Sequence, residues 1–411
     1  MTTTVYTSTV TKQSGLVNAP DDADRAPHHV RNHAGKTVRF QNPHPSAGEQ
    51  MGILQMVRTM LGGRLSGELT NPDISGVKVP VVTPAFLPRD QSPPSLRATW
   101  LGHACYLVEF PSGLRVLFDP VFEDRCAPVQ FVGPRRYSPP PCGLGDIPAV
   151  DAVVISHSHY DHLSHPTVTQ LARAHPNAQF FVGLGLESWF RGSGIERVVE
   201  MDWWEDAELV LERQKKNHDG KLSDENDGNG GGPPDVISAR ISCLPSQHSS
   251  GRTGFNKDHT LWASWAVYSG GKSVWFGGDT GYRCTREKEP VVTGEDGVDR
   301  HDAPGYKSLP VCPDFADIGR LRGPFDLGLI PIAAYKPRKF FSWMHADPFD
   351  AVEIFRDTRC KRAMGIHWGT WVLTSEEPNE PPRLLREALK REGIAETGVF
   401  DVCAVGESRE F

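Results

Sequence analysis

Hydrophobic and polar positions follow two periods along the chain. Short apolar runs of strand length occur at residues 180–182 and 327–330, whereas residues 166–174 and 348–356 repeat their apolar positions at helical spacing. The first pattern is typical of buried strands and the second of amphipathic helices. Because the two patterns alternate, the chain is predicted to form an α/β fold built in layers.

Two segments far apart in the sequence share one hairpin pattern. Residues 99–120 and 261–276 each contain two apolar runs around a glycine-containing turn, and an acid, Asp119 or Asp279, lies at the end of each. Apolar runs joined by such a turn predict a β-hairpin. The repetition indicates a pseudo-duplicated structure with one hairpin in each half.

The first 95 residues differ from this pattern. Residues 1–48 are polar, aperiodic and rich in His, Pro, Asp and Arg, so a disordered N-terminal tail is predicted. Residues 49–95 are predicted to form a short amphipathic helix, with apolar positions at 53–61 and an end at Gly62-Gly63, and then a Pro-rich linker. The helix either packs on the folded body or contacts a lipid surface or acyl chain, and both interpretations stay open.

The remainder, residues 96–411, is predicted to be one folded domain with two insertions. Residues 214–235 and 283–310 contain Gly and Pro and lack any hydrophobic period. Segments of this composition lie on protein surfaces, so both are expected to be surface loops.

Composition limits the function classes. The net charge is −7, with 44 basic and 51 acidic residues interspersed, so no basic stripe indicates a nucleic-acid partner. The eight cysteines include no C-x-x-C pair, which argues against a cysteine zinc site and for reduced thiols inside a cell. No apolar run is long enough to span a bilayer. The first 20 residues lack the apolar core of a secretory signal, but their pattern leaves a mitochondrial transit peptide open.

The densest chemistry follows the apolar run at residues 151–154. Four metal-binding side chains occur within six residues, in the pattern H-x-H-x-D-H: His157, His159, Asp161 and His162. Just past a strand end, the first two can close on one ion, while the last two reach a second. Imidazole and carboxylate at this density suit zinc or a similar borderline cation.

Three more residues at predicted strand ends complete a site for two ions. His248, Asp279 and His367 each follow an apolar run. His157, His159 and His248 would give one ion three nitrogens, and Asp161, His162 and His367 would bind the other. Asp279 would bridge them, and each ion would keep room for a shared water, as a catalytic zinc requires.

The H-x-H-x-D-H loop at residues 157–162 resembles the metal-binding loop of the metallo-β-lactamase superfamily. That resemblance implies an αββα sandwich of two mixed β-sheets flanked by helices, with residues 96–411 as its catalytic domain. Further stretches are similar to the phospholipases D that hydrolyse N-acyl-phosphatidylethanolamine, and they cover about three quarters of the chain: 99–104, 151–163, 201–205, 245–248, 261–265, 277–282, 323–335, 345–348, 366–370 and 406–409.

The resemblance implies a di-zinc phosphodiesterase that releases N-acylethanolamine and phosphatidic acid. Gln130 and His345 would face the phosphate and head group, and His345 joins Asp161 as a predicted catalytic residue. Phe131 stands where an aromatic hydroxyl is expected. The resemblance also implies a phospholipid substrate at a membrane surface, an intracellular, peripherally membrane-associated protein and a homodimer.

Two cations about 3.5–4 Å apart bind phosphate oxygens and lower the pKa of a bridging water to about 7. A metal-bridging hydroxide would then attack phosphorus, with Asp161 orienting it. The same centre also suits another ester, thioester, lactone or phosphodiester, and a lipid-binding protein without turnover is the remaining alternative.

Several aromatic and histidine residues have two interpretations. Residues 335–343 interleave cations with aromatics, which is typical of a membrane-interface segment or of an ordinary loop over the site. Trp203-Trp204 is either core or a lipid contact. His103, His165 and His175 are expected to be structural.

Overall fold

The computed structural model describes residues 5–49, 53–67, 69–214, 234–285, 301 and 304–411. The strands of this part of the chain are β1 (Tyr6–Lys12), β2 (His29–Arg31), β3 (Thr37–Phe40), β4 (Arg97–Gly102), β5 (Cys105–Glu109), β6 (Arg115–Phe118), β7 (Ala152–Val154), β8 (Gln179–Gly183), β9 (Val198–Met201), β10 (Asp206–Arg213), β11 (Val236–Leu244), β12 (Ser264–Ser269), β13 (Lys272–Phe276), β14 (Leu327–Pro331), β15 (Ala363–Ile366), β16 (Phe400–Asp401) and β17 (Ser408–Glu410). Its α-helices are α1 (Ile53–Leu65), α2 (His165–Ala174), α3 (Glu187–Gly192), α4 (Pro304–Lys307), α5 (Asp314–Leu321), α6 (Arg338–Phe341), α7 (Pro348–Asp357) and α8 (Glu380–Arg391).

Most of these strands belong to two mixed sheets with the same plan. Within the described residues, one sheet has eight strands in the order β1-β10-β11-β12-β13-β14-β15-β16, and the other has seven in the order β17-β4-β5-β6-β7-β8-β9. Each is antiparallel up to its hairpin, β12–β13 or β5–β6, and parallel beyond it. The predicted α/β fold of two mixed sheets is confirmed, and both predicted hairpins are present.

The sheets pack face to face, and helices cover their outer sides. Between them, the rings of Phe118 and Phe276 lie 4.8 Å apart. Outside the seven-stranded sheet, Val168 and Leu171 of α2 pack in one buried cluster with Leu107. Helix α7 packs against β14 and lies beside α5 and α8. Burying apolar area on both faces of each sheet supplies the main stabilisation of such a sandwich.

The disordered tail predicted for residues 1–48 is wrong for the residues described there. β1 pairs with β10 over seven residues, from Tyr6–Arg213 to Lys12–Ala207, and β2 and β3 form a small hairpin. An edge strand obtains its backbone hydrogen bonds from its neighbour and buries only one face. Only Tyr6 and Ser8 of β1 are buried, so its sequence carries little hydrophobic signal.

The helix and the insertions also depart from the predictions. α1 continues through Gly62-Gly63 to Leu65. Most of the 214–235 and 283–310 insertions lies outside the described residues, but the ends of the second are packed: Arg283, Tyr306 and Leu309 are buried. The surface-loop prediction is therefore wrong for these three. Among the described helices, none is long and apolar enough to cross a membrane.

Candidate metal centre

The two sheets bring their strand ends to one place. β6 is followed by Asp119 and β7 by the loop at residues 155–163, both in the seven-stranded sheet. From the eight-stranded sheet, β11, β13 and β15 are followed by His248, Asp279 and His367. These are the seven predicted metal ligands together with Asp119, and their side chains lie close enough to contact one another.

Three imidazoles form the first group. His159 Nδ1 lies 2.8 Å from His157 Nε2 and 3.2 Å from His248 Nε2. His248 donates its Nδ1 proton to the carbonyl oxygen of Met344 at 2.8 Å, which leaves Nε2 unprotonated and able to bind a metal ion. Burial, with the neighbouring imidazoles, holds the pKa of His157 and of His248 well below its ordinary value. Both rings are therefore neutral, the form that binds metal.

A carboxylate and two imidazoles form the second group. Asp161 Oδ2 lies 3.3 Å from His367 Nε2 and 3.4 Å from His162 Nε2. Asp279 joins this group to the first: its oxygens lie 3.0 Å from His367 Nε2, 3.2 Å from His162 Nε2 and 3.6 Å from His248 Nε2. Asp279 thus has the place of a bridging ligand.

The electrostatics of the cluster fit a pair of cations. Burial opposes the ionisation of Asp161 and Asp279, yet His162 and other imidazoles hold the pKa of both carboxyls well below the ordinary value. Burial likewise opposes the protonation of His162 and His367, yet the two acids raise the pKa of His162 well above its ordinary value and that of His367 to about 9. The two carboxylates therefore favour positive charge beside them, which bound cations would supply when the imidazoles are neutral.

Unsatisfied polar atoms support the same conclusion. His162 Nε2 and Asp279 Oδ1 are buried without a hydrogen bond, although they lie 3.2 Å apart. Buried polar atoms usually have partners, so an orphaned pair facing each other fits metal ligands. The nitrogen and oxygen donors suit zinc or a similar borderline cation, and the cluster is consistent with a binuclear site.

Asp119 orients the cluster from behind. Its carboxylate accepts hydrogen bonds from the Ser156 backbone N–H at 2.7 Å and hydroxyl at 2.5 Å, and it contacts His162 Nδ1 at 2.6 Å. This contact turns His162 Nε2 toward the other ligands. Gly278 permits the close approach, since a Cβ there would lie 2.5 Å from the Ser156 Cβ and its φ is +57°. In the sequence, Asp119 was noticeable only as the acid at the end of the first hairpin, and that position alone does not predict its role.

His103, which was expected to be structural, lies in the site. Its Nε2 lies 3.1 Å from Asp161 Oδ2, and its ring centroid is 4.1 Å from that of His367. Burial lowers the pKa of His103 to about 3, so the ring is a neutral hydrogen-bond partner of Asp161. His103 lies in residues 99–104, one of the stretches similar to the phospholipases D, and that similarity could have identified it as a site residue. His165, by contrast, is exposed on α2.

The two predicted substrate contacts differ in position. His345 is buried beside the cluster, with Nδ1 3.8 Å from Asp279 Oδ2 and its ring centroid 5.1 Å from that of His248. Gln130 is exposed, and its side-chain amide bonds to the backbone N–H and carbonyl of Arg125 at 3.0 and 2.9 Å. The structure therefore brings His345, but not Gln130, to the cluster, and substrate binding by Gln130 stays a prediction.

The segment at residues 335–343 is mostly packed. Tyr335, Arg338 and Trp343 are buried, and the Tyr335 hydroxyl donates to Glu380 Oε1 at 2.7 Å. Three of the seven cations and aromatics of this segment are therefore buried and unable to face a lipid surface, and a membrane-interface role for the others stays a prediction. Trp203 and Trp204 are also buried.

The fold and the site define the class of protein. Residues 114–291 and 304–368 match the family described as Beta-lactamase superfamily domain. The chain belongs to the metallo-β-lactamase superfamily, and its two mixed sheets with a His/Asp cluster at the strand ends are those of a metal-dependent hydrolase.

Three relatives narrow the comparison. The chain is 37% identical over 314 residues to "N-acyl-phosphatidylethanolamine-hydrolyzing phospholipase D 1" of Caenorhabditis elegans, covering 75% of this chain and 74% of that protein. An uncharacterized protein of Mycobacterium tuberculosis is 34% identical over 77% of this chain and 69% of its own length. The Saccharomyces cerevisiae protein named "N-acyl-phosphatidylethanolamine-hydrolyzing phospholipase D, mitochondrial" is 27% identical over 70% of this chain and 51% of its own length.

Proposed function

We propose that this chain is a phosphodiesterase of the phospholipase D type that hydrolyses N-acyl-phosphatidylethanolamine to N-acylethanolamine and phosphatidic acid. The observation that carries the proposal is a buried pair of ligand groups sharing Asp279. The names of the worm and yeast relatives support the choice of substrate.

The ligand groups divide the work of binding metal. His157, His159 and His248 would hold one cation. Asp161, His162 and His367 would hold the other, with Asp279 between them. When bound, two zinc-class cations neutralise the charge of a phosphodiester and supply a nucleophile at neutral pH. His103 and Asp119 keep the second group in place through Asp161 and His162.

Asp161 is placed to handle the proton of the attacking water. Its side chain is 15% exposed, whereas that of Asp279 is only 2% exposed, so Asp161 is the carboxylate nearer the open side. Its low pKa keeps it ionised and able to accept a hydrogen bond. The water oxygen forms a bond to phosphorus, and the bond from phosphorus to the ethanolamine oxygen breaks. The leaving oxygen takes a proton, giving N-acylethanolamine.

His345 is the second candidate catalytic residue. Burial lowers its pKa to about 3, so the ring is neutral at physiological pH. Its Nδ1 is buried without a hydrogen-bond partner. A neutral imidazole in that state is suited to donate a hydrogen bond to a phosphate oxygen, which favours a role in positioning the phosphodiester.

We propose further that the protein approaches its lipid from a membrane surface. Phe131 and Phe255 are 84% and 94% exposed. Both lie on loops next to the cluster. The loop that carries Phe131 packs on Trp371, which lies beside His103. The loop that carries Phe255 is joined to the metal-ligand loop by a hydrogen bond from Arg252. Exposed aromatics on loops beside a lipid-hydrolysing site suit interfacial binding.

Product release from vesicles of N-acyl-phosphatidylethanolamine tests the function. Mass spectrometry would detect both products, and the metal content of the same sample would be measured. We expect turnover with about two metal equivalents per chain at this centre. We also expect its loss in His159→Ala and its retention in His165→Ala, which removes an exposed histidine near the loop. Bound metal without lipid turnover would contradict the substrate and direct attention to other esters, lactones and phosphodiesters.

A further inference from the structure

A second His/Asp cluster lies outside the centre described above. It joins the N-terminal arm, residues 5–49, to the catalytic domain. His28 Nε2 lies 2.8 Å from Asp202 Oδ1, and His29 Nε2 lies 2.8 Å from Asp202 Oδ2. The side chains are 4%, 9% and 21% exposed, so the cluster is largely shielded but open to water at the carboxylate.

The contacts of His29 are compatible with those of a metal ligand. Its Nε2 is buried without a hydrogen bond, although the carboxylate is within contact distance. The same signature occurs at the catalytic centre, between His162 Nε2 and Asp279 Oδ1. The other ring nitrogen, His29 Nδ1, lies 2.8 Å from Thr37 Oγ1. Histidines that bind metal usually have their second nitrogen fixed by such a partner.

The remaining two residues are held firmly. The ring of His28 stacks on the buried Trp203 with centroids 4.1 Å apart. Asp202 Oδ1 also accepts a hydrogen bond from the Trp203 backbone N–H at 2.8 Å. The three candidate ligand atoms lie within 4.8 Å of one another. A preformed set of this kind lowers the cost of ordering the ligands around an ion.

We propose that His28, His29 and Asp202 form a structural site for a divalent cation of the zinc class. Two imidazole nitrogens and one carboxylate supply three positions, and a water from the exposed side supplies the fourth. The proposal does not rest on the reaction catalysed at the other centre.

The ion would hold the N-terminal arm against the catalytic domain, and this arm supports the predicted metal ligand His248. Further along the arm, the Asn42 side chain donates to the His248 carbonyl at 2.8 Å and accepts from the His248 N–H at 3.1 Å. The hydroxyl of Ser46 donates to Gln247 Oε1 at 2.5 Å. An ion at His28 and His29 would therefore stabilise the loop that carries His248.

Metal stoichiometry tests the proposal directly. Wild type, His29→Ala, Asp202→Asn and the control His33→Ala would be loaded with zinc, freed of excess metal and analysed by mass spectrometry. His33→Ala removes an exposed imidazole from the same hairpin. We expect both cluster variants to lose about one zinc equivalent relative to His33→Ala. Equal zinc content in all four proteins would overturn the proposal.

Asp202→Asn keeps the size of the side chain, so it is the variant less prone to misfolding. A measurement on the wild type avoids the problem altogether. Crystals of the full chain grown with zinc should show an anomalous peak between the three residues. Catalytic zinc at full occupancy with no peak at this cluster would overturn the proposal without any variant.

Discussion

Two buried clusters of charge contact His345, through Asp279 at its Nδ1 and through Arg338 at its carbonyl oxygen, and they differ in what balances their acids. In the metal centre, Asp161 and Asp279 face imidazoles. In the other cluster, hereafter the arginine network, Asp350 accepts from Arg338 at 2.6 Å and from Arg283 at 2.8 Å. The Tyr306 hydroxyl also donates to Asp350 at 3.0 Å.

The difference separates a site that requires ions from one that does not. A guanidinium is charged at any physiological pH, so the arginine network balances Asp350 from within the protein. An imidazole is neutral unless a nearby acid protonates it. At the metal centre the carboxylate oxygen Asp279 Oδ1 is buried without a hydrogen bond, whereas both carboxylate oxygens of Asp350 have arginine partners. In this chain the carboxylate of Asp350, opposite two arginines, therefore indicates structure, whereas Asp161 and Asp279, opposite several imidazoles each, indicate metal.

The largest effect is expected from removing the charge of Asp161. We expect Asp161→Asn to lower kcat by about 10²–10⁴-fold, because the amide cannot accept a proton. Hydrolysis of the lipid and the melting temperature would be measured together, with His165→Ala as the control of unchanged activity. A variant that retains more than a tenth of the wild-type kcat would show that another group orients the nucleophile.

Asp350→Leu is expected to damage stability without touching the metal. It leaves two buried arginines facing an apolar side chain, and breaking a buried ion pair costs about 3–5 kcal/mol. Urea unfolding would measure the loss. Arg356→Ala is the control, because Arg356 lies on α7 like Asp350 but forms an exposed pair with Glu392, which follows α8. Breaking that pair should cost about 1 kcal/mol or less. Similar losses in both variants would show that the network contributes no more than a surface pair.

The pH dependence of stability follows from the same contacts. Burial opposes ionisation of Asp350, but the two arginines lower its pKa below the ordinary 3.8. A group whose pKa is depressed by folding stabilises the protein above the unfolded value. Its contribution is therefore present above about pH 4 and lost as the pH falls through the folded value. In urea unfolding at pH 3–7, Asp350→Leu should show a shallower acid loss than wild type, and identical slopes would contradict this account.

The metal ligands could be predicted from sequence because their signal is local. Four ligands occur within six residues, and the other three each follow an apolar strand, so the H-x-H-x-D-H loop and the strand ends sufficed. The arginine network has no such signal, because its members come from four separate segments without a recognisable spacing: Arg283, Tyr306, Arg338 and Asp350. Only the tertiary structure brings them together.

The N-terminal arm was missed for a related reason. β1 has few buried side chains, and its place in the sheet depends on hydrogen bonds to β10. His103 was assigned to structure because a lone histidine has no recognisable spacing to other ligands. The resemblance to the phospholipases D at residues 99–104 marks this stretch as similar, but the contact of His103 with Asp161 appears only in three dimensions.

His103→Gln should have a smaller effect than a ligand variant. His103 hydrogen-bonds to Asp161 and does not contact Asp279, the bridging carboxylate. Loss of such a supporting contact lowers metal affinity or activity about 10–100-fold. Zinc competition with a chelator would separate affinity from kcat. An effect as large as that of Asp161→Asn would instead place His103 among the catalytic residues.

Asn42→Ala is expected to have the smallest effect, and it tests whether the metal centre depends on support from the arm. The variant removes two hydrogen bonds to the His248 backbone, each worth about 0.5–1.5 kcal/mol. Because the ring of His248 keeps its bond to Met344, only part of this loss should reach the metal, with a zinc affinity about threefold to tenfold weaker. Asn32→Ala is the matched control, since Asn32 caps the distant turn of the same arm. Equal zinc affinity in both variants would mean that the arm stabilises the fold without tuning the metal.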